Sequence, residues 1–585
     1  MCGIAGMMTL NGAAPDQAML DAMLVALAHR GPDGHGQYVR DGVGLLQARL
    51  AIIDLATGDQ PLYEQPSGAA LVANGEIYNY VELRAELADA PFVTKSDCEP
   101  PLYLFRSLGP GYAERLRGMY AIALHDPATG CLLLSRDPFG IKPLYYAETP
   151  AGFIFASEPQ ALLATGLLER RVRRGPRGEL LQLQFTTGRE TIFKGISRVL
   201  PGETLVLRQG RVVENLRREA LPTGAPLDMA EPEALQRLEA ALTDSVTVHQ
   251  RSDVPYGMFL SGGIDSSALL ALMARMSSRP VQAYTVGFTG TGVHDERAHA
   301  AELCRVVGAR HVEVEFGEAD FWALLPRVAA AMDDPVADYA VLPTWKLARE
   351  AAKDLKVVLC GEGGDELFAG YGRYRAALRP WWRGGRVMRP KGIMDRLRLL
   401  RDEPKGWRDG IATAEAMAAS PGRSRLQVAQ AMDCADWLPN DLLTKVDRCL
   451  MAHGLEGRTP FLDPVVADLA FRLPDGLKVR NGQGKYLLRQ WLATALPAAQ
   501  PFSKKRGFTV PVGEWILARG TALGPLVAAQ AGIVEIADTD AVQTLFARGG
   551  KHEGQAAWTL LFYALWHQHH ILQRPGGGDV FEALG

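Results

Sequence analysis

The string Ser261-Gly262-Gly263-Ile264-Asp265-Ser266-Ser267 constrains this chain most, because its flanks dictate a strand, a tight loop and a helix in immediate succession. The apolar run Gly257 to Leu260 predicts a buried parallel strand, and Ala268 to Met276 predicts the helix after the loop. Two glycines let the backbone approach an anion closely, while hydroxyls and helix N-terminal amides supply donors. These are the parts of a pyrophosphate cradle. Asp265 would repel phosphate, so a carboxylate there makes sense if Mg²⁺ bridges the two. A Walker loop would need Gly-Lys-Ser or Gly-Lys-Thr, which this string lacks. Ser-Gly-Gly alone would read as an ordinary turn; the full string after a strand is far more specific.

A chain of 585 residues is long enough for more than one core. Its 47% hydrophobic and 22% charged residues are ordinary for a globular protein. A net charge of −3 gives no reason to expect nucleic acid or an anionic membrane as partner. Seven cysteines without a Cys-x-x-Cys pair indicate neither a disulfide framework nor a zinc site, and predict a reducing cytoplasm. Neither a signal peptide nor a membrane-spanning stretch is expected. The basic cluster Arg170, Arg171, Arg173, Arg174 and Arg177, among Gly175, Pro176 and Gly178, reads as a solvated connection.

Residues 1 to about 210 read as mainly β, with strands at Ala69 to Ala73, Tyr120 to His125, Leu132 to Ser135 and Phe153 to Ala156. Helices are expected at Gln17 to Ala28 and Tyr80 to Ala88. Cys2 comes directly after the initiator methionine, and so small a side chain permits removal of Met1. A free α-amine, with a pKa of roughly 7.7–8.0, would then stand beside a thiol of pKa roughly 8.5. Nucleophile and base come in one residue.

Four later strings give Cys2 weight. His29-Arg30-Gly31-Pro32-Asp33, Arg49 to Asp54, Asn74-Gly75-Glu76-Ile77-Tyr78-Asn79 and Ser96-Asp97-Cys98-Glu99 come in that order. Alone, Asn74-Gly75 is a hairpin turn, Arg49 a surface ion pair and Asp97 a helix N-cap. Together they closely resemble the class II, Ntn-type glutamine amidotransferase domain. The resemblance implies that Cys2 attacks the glutamine amide and releases ammonia. It assigns Arg49 to the substrate α-carboxylate, Glu76 and Asp97 to its α-ammonium, and the Asn74 side chain with the Gly75 N–H to the oxyanion hole. Cys98, Cys131 and Cys304 read as packed or surface thiols.

Beyond about residue 235, strands at Gly257 to Leu260, Ala283 to Phe288, His311 to Val314 and Val357 to Leu359 alternate with helices. This is the rhythm of a doubly wound sheet, with its ligand crevice at the strand C-termini. Leu260, Val286 and Cys360 are expected there. Cys360-Gly361-Glu362-Gly363-Gly364-Asp365-Glu366 brings acids to a strand exit between glycines. Asp365 would share Mg²⁺ with Asp265, or else cap the next helix.

The loop Ser261 to Ser267 resembles the PP-loop of enzymes that cleave ATP to AMP and pyrophosphate. Nearly the whole chain resembles glutamine-dependent asparagine synthetases of the bacterial B type, through Arg136-Asp137-Pro138-Phe139-Gly140, Gly457-Arg458-Thr459-Pro460-Phe461-Leu462-Asp463 and Gly484-Lys485-Tyr486. That implies an α+β Ntn-hydrolase domain, an αββα sandwich, at 1–213, then a linker at 214–232. An α/β PP-loop ATP pyrophosphatase domain with a helical C-terminal part would occupy 233–585. ATP would sit on Leu260, Ser261, Gly262, Gly263, Asp265, Ser266, Ser267, Val286, Cys360 and Gly361. Glu362 would act in forming the acyl-adenylate or in proton transfer, and Lys485 would offset charge at the α-phosphate. Glutamine, aspartate and ATP are the implied small-molecule partners, and a homodimer is left open.

One stretch departs from the enterobacterial-type pattern. Asp334 to Thr344 resembles a second bacterial branch, as does Lys504 to Pro511, and that branch includes enzymes amidating other carboxylates. β-Lactam synthetases lack the equivalents of Cys2 and Glu362, both present here, and GMP-synthetase-like enzymes have an internal glutaminase cysteine. A non-catalytic scaffold would have lost Cys2, Asp265 or Glu362.

Overall fold

The computed structural model describes residues 2–289, 295–383, 388–503 and 510–585. The expected resemblance at Lys504 to Thr509 lies outside them.

Twelve strands build the first half: β1 (Gly3–Thr9), β2 (Gly34–Arg40), β3 (Val43–Arg49), β4 (Leu62–Glu64), β5 (Ala69–Ile77), β6 (Gly118–Asp126), β7 (Cys131–Arg136), β8 (Tyr145–Thr149), β9 (Gly152–Ala156), β10 (Ser197–Arg198), β11 (Glu203–Arg208) and β12 (Arg211–Arg217). They form two six-stranded sheets, ordered β10-β8-β9-β1-β3-β2 and β12-β11-β7-β6-β5-β4. The named pairings in both are antiparallel. Alternation along β1 shows how they stack. Ile4 and Met8 point into a core shared with Val72, Ala123, Leu134 and Leu205 of the other sheet. Ala5 and Met7 point the opposite way, onto Leu20, Met23 and Leu27 of the helix Gln17–Leu27. On the far side, Leu71, Ile122 and Leu133 pack beneath Leu102 of the helix Pro100–Leu108. The result is the αββα sandwich. With both faces covered, β1, β3 and β6 read as nearly unbroken apolar runs rather than alternating ones.

The second half contains a five-stranded parallel sheet of β13 (Tyr256–Phe259), β14 (Gln282–Phe288), β15 (Arg310–Phe316), β16 (Val357–Leu359) and β17 (Glu456–Arg458). Its order is β15-β14-β13-β16-β17. β13, β14 and β16 are legible as largely apolar runs and β15 by its alternation of Val312, Val314 and Phe316 with charged residues; β17 is not, since Glu456 and Arg458 are charged yet fully buried. Helices then dominate to the C-terminus, including a wide i→i+5 segment at Asp433–Leu443 that runs directly into the helix Thr444–Met451.

Two expectations about connections need correcting. The stretch 214–232 begins inside β12 and ends inside the helix Glu231–His249, so the irregular connection spans only 218–230. The arginine cluster is not a solvated connection. Arg174–Leu183 is a helix, Arg177 pairs with Glu535 at 2.8 Å, and Arg170 donates to the His570 carbonyl at 3.1 Å. Gly178 packs against Pro404, where a Cβ would stand 2.7 Å away. The cluster joins the sandwich to the helical part. Arg170 and Arg177 spend their charges on partners more than two hundred residues away, which local spacing cannot reveal, while Arg171 and Arg173 pair locally with Glu169 and Glu190.

Candidate active sites

Cys2 lies just before β1, buried beneath the end of the sandwich. Its N–H donates to Asn74 Oδ1 at 3.2 Å, and its carbonyl accepts from Arg30 Nε at 3.2 Å. Burial pushes the thiol pKa up, and Arg49 and the Leu50 backbone oppose that. Asn74 and Gly75 sit within β5, opposite Ala121 and Tyr120, so they are not a hairpin turn. Oδ1 faces Cys2, whereas the Asn74 Nδ2 amide is buried and donates to nothing. A buried donor without an acceptor is costly, and an oxyanion is what it lacks. At Gly75 a Cβ would fall 2.1 Å from the Met119 carbonyl, so only glycine lets the strands close here.

Arg49 ends β3 and is buried, not a surface residue. Its fork is held by Asp59 Oδ1 at 2.7 Å and by the Asp54 carbonyl at 2.6 Å. Glu76 and Asp97 are both buried; Asp97 accepts from the Ile77 N–H at 2.8 Å. It is not an N-cap, since the helix beyond it starts from Glu99. Burial pushes Glu76 well above the carboxylate range, with Asp97 adding repulsion, and burial raises Asp97 too. Sequence reasoning missed the third group here. Arg458, from β17 of the second half, places Nη2 3.2 Å from Glu76 Oε1 and Nε 2.6 Å from Glu456 Oε1.

Arg30 is a further omission. Its guanidinium binds Glu158 at 2.7 Å and Asp447 at 2.7 and 3.0 Å while holding the Cys2 carbonyl. Asp447 belongs to the helix Thr444–Met451, which also carries Lys445 into the second site. Arg30 stands inside one of the ordered strings after Cys2, but nothing in the spacing names a partner 417 residues on.

The second site opens at the C-terminal ends of β13, β14 and β16. A cavity of about 280 Å³ is lined by Leu260, Ser261, Gly263, Asp265, Ser266, Val286, Cys360, Gly361, Glu362 and Asp365, among others. Gly262 (φ +66°) makes the turn, and the helix Ile264–Met276 starts directly after Gly263. Ser266 Oγ receives the Ser261 N–H at 3.2 Å, tying the loop to that helix, while Ser267 Oγ is buried without a partner. Lys485 is buried rather than exposed, in the left-handed conformation (φ 58°) at the start of the helix Tyr486–Ala495. Its ammonium bridges Asp265 and Asp365, the latter at 2.8 Å. Burial alone would lower the lysine pKa; the two carboxylates overcome it and raise it. Glycines make this approach possible. A Cβ at Gly364 would stand 2.5 Å from Asp265 Oδ1, and one at Gly370 would stand 1.8 Å from Asp365 Oδ1.

Glu362 lines the cavity, its carboxyl raised by burial against the pull of Lys445. Lys445 pairs with Asp338 at 2.8 Å. The segment beginning at Asp334 is pinned to the sandwich, since Arg198 binds Asp334 at 2.7 and 2.9 Å. Two carboxylates facing one cation fit a hard divalent ion. Among the described residues no group of three or more His, Cys, Asp or Glu side chains is placed to hold a metal ion by itself.

The fold and both constellations define a glutamine amidotransferase domain joined to a nucleotide-binding ligase domain. Family comparison agrees. A glutamine amidotransferase domain model matches residues 1–217 and an asparagine synthase model matches 237–568. The chain belongs to the asparagine synthase family. It is 32% identical to glutamine-hydrolyzing asparagine synthetase 1 of Bacillus subtilis over 629 aligned positions, covering 98% of each. It is 30% identical to glutamine-hydrolyzing asparagine synthetase B of Escherichia coli, covering 88% of this chain and 83% of that one. A Gibberella zeae protein called amidase chry2 is 32% identical over 64% of this chain and 60% of its own. Among the described residues, no helix is long and apolar enough to cross a membrane.

Proposed function

We propose that the protein makes L-asparagine from L-aspartate, L-glutamine, ATP and water, releasing L-glutamate, AMP and pyrophosphate. The observation that carries this reading is strand β17. Its Arg458 carbonyl receives the Cys360 N–H at 2.8 Å, and its Arg458 side chain reaches Glu76. Both sites thus rest on one framework, as transfer of ammonia between them requires.

At the first site, Arg49 would exchange Asp59 for the glutamine α-carboxylate, and Glu76 with Asp97 would take the α-ammonium. Cys2 Sγ, its proton passing to its own α-amine once Met1 is removed, would then attack the side-chain amide carbon. The oxyanion receives the unsatisfied Asn74 Nδ2 and the Gly75 N–H. Its collapse, with return of the proton, expels ammonia, and water hydrolyses the thioester to glutamate. At the second, the loop Ser261 to Ser267 holds the nucleotide phosphates, with Val286 as an apolar wall. Mg²⁺ on Asp265 and Asp365 would neutralise the departing pyrophosphate. Lys485 would then turn toward the α-phosphate and acyl oxygens as the acceptor carboxylate attacks phosphorus. Glu362, raised by burial, is suited to take a proton from the attacking amine.

An acceptor screen with glutamine, ATP and Mg²⁺, read by mass, tests the substrate. Aspartate should give asparagine with AMP and pyrophosphate, and aspartate ¹⁸O-labelled in its side chain should pass one label to AMP. Label in inorganic phosphate with ADP would overturn adenylation. Amidation of another carboxylate in preference to aspartate would move the protein to the second branch, a reading supported by the segment Asp334 to Thr344 and by the match to a protein called an amidase.

A further inference from the structure

We infer that Arg458 is a positioning residue for glutamine, contributed by the ligase domain, which orients the Glu76 carboxylate of the other domain and offsets the acidic charge gathered beside it. The inference rests on the glutaminase role proposed above.

Three carboxylates converge around it. Glu76 lies near the end of β5, Asp97 precedes the helix Pro100–Leu108, and Glu456 opens β17; each is 5% exposed or less. Arg458, 0% exposed, contacts Glu76 at 3.2 Å and Glu456 at 2.6 Å. Its Nη1 is anchored on the His249 and Arg251 carbonyls at 2.9 and 2.7 Å, so the guanidinium cannot swing away. Glu76 Oε2 is buried without a hydrogen-bond partner, and the approach of Arg458 Nη2 to Oε1 is an ion pair without hydrogen-bond alignment. The Tyr78 side chain also interacts with Glu76, and its ring lies 4.0 Å from that of His249.

The charge balance decides which effect of Arg458 dominates. As a cation it repels glutamine's ammonium. Without it, Glu76, Asp97 and Glu456 would have less counter-charge among them, and buried like charges disfavour one another's ionised form. Glu76 would hold its proton to still higher pH and be a poorer ammonium acceptor. Burial and Asp97 already hold Glu76 high, and Arg458 is the main group pulling it down.

Arg458→Gln keeps a donor for the His249 carbonyl and removes the charge. It should lower kcat/KM for glutamine hydrolysis about tenfold or more at neutral pH, through KM, as loss of one partner of a buried charge pair does. The acid limb of that profile should move to higher pH, because Glu76 then protonates more easily. Ammonium-dependent synthesis should stay within about threefold, and Arg458→Lys should recover most of the lost affinity, since it restores the charge. An Arg458→Gln variant that synthesises from ammonium with unchanged KM and acid limb overturns the inference. If that variant does not fold, Glu456→Gln decides. Relieved of one carboxylate, Glu76 should ionise at lower pH and the acid limb should shift down; an unmoved limb overturns the inference equally. A wild-type protein that does not hydrolyse glutamine through Cys2 would instead sink the glutaminase reading itself.

Discussion

The two sites solve opposite problems. The proposed glutamine site is closed: Cys2, Arg49, Asn74, Glu76 and Asp97 are all buried in a sandwich whose strands pack tightly at Gly75. Its Asn74 amide and Glu76 carboxyl are held without full hydrogen bonding, and a ligand would complete them. The nucleotide site is an open cavity at strand ends, and its charges are already paired, with Lys485 spanning Asp265 and Asp365. One site waits for partners; the other must trade them. Substitutions in the first should therefore act on glutamine alone, and in the second on ATP chemistry alone.

The sharpest test of that separation is Cys2→Ala. Glutamine-dependent synthesis should fall by at least about a thousandfold, since the nucleophile is gone, while synthesis from ammonium salts persists. Loss of both activities in a folded variant would join the sites and break the comparison.

Asp265→Ala should be nearly as large in the opposite direction. Removing one carboxylate from this partly buried trio leaves Lys485 facing Asp365, and ATP-dependent ligation should drop about a hundredfold or more. Steady-state glutamine hydrolysis should continue. Equal loss of both would show that the trio supports the whole molecule rather than the nucleotide site.

Arg49→Lys should raise KM for glutamine about tenfold with little change in kcat. A planar fork satisfies both carboxylate oxygens, and an ammonium does not. An unchanged KM would mean that Asp59 and the Asp54 carbonyl are the residue's whole purpose.

The smallest effect is the most specific to the closed site. Asp59 is mostly exposed yet occupies one arm of Arg49, so it competes with the incoming carboxylate. Asp59→Asn should lower KM for glutamine about twofold to threefold, the modest scale of an exposed ion pair. A higher KM would assign Asp59 to organising the pocket instead.

Sequence by itself determined the parts whose physics is local. The glycine-serine loop, the apolar or alternating patterns of β13 to β16 and Cys2 with its ordered strings all depend on short-range backbone and side-chain chemistry. Asn74 does meet Cys2, and Glu362 and Asp365 line one cavity with the loop. The tertiary structure alone decided what depends on partners distant in sequence. Arg458 sits in the string Gly457 to Asp463, but only strand β17 packing beside β16 brings it 3.2 Å from Glu76. Arg30 likewise became the link between Cys2 and Asp447, and Arg170 and Arg177 became a joint rather than a surface. A buried charge is stable only with its counter-charge, and chain spacing carries no information about which strand or helix supplies it.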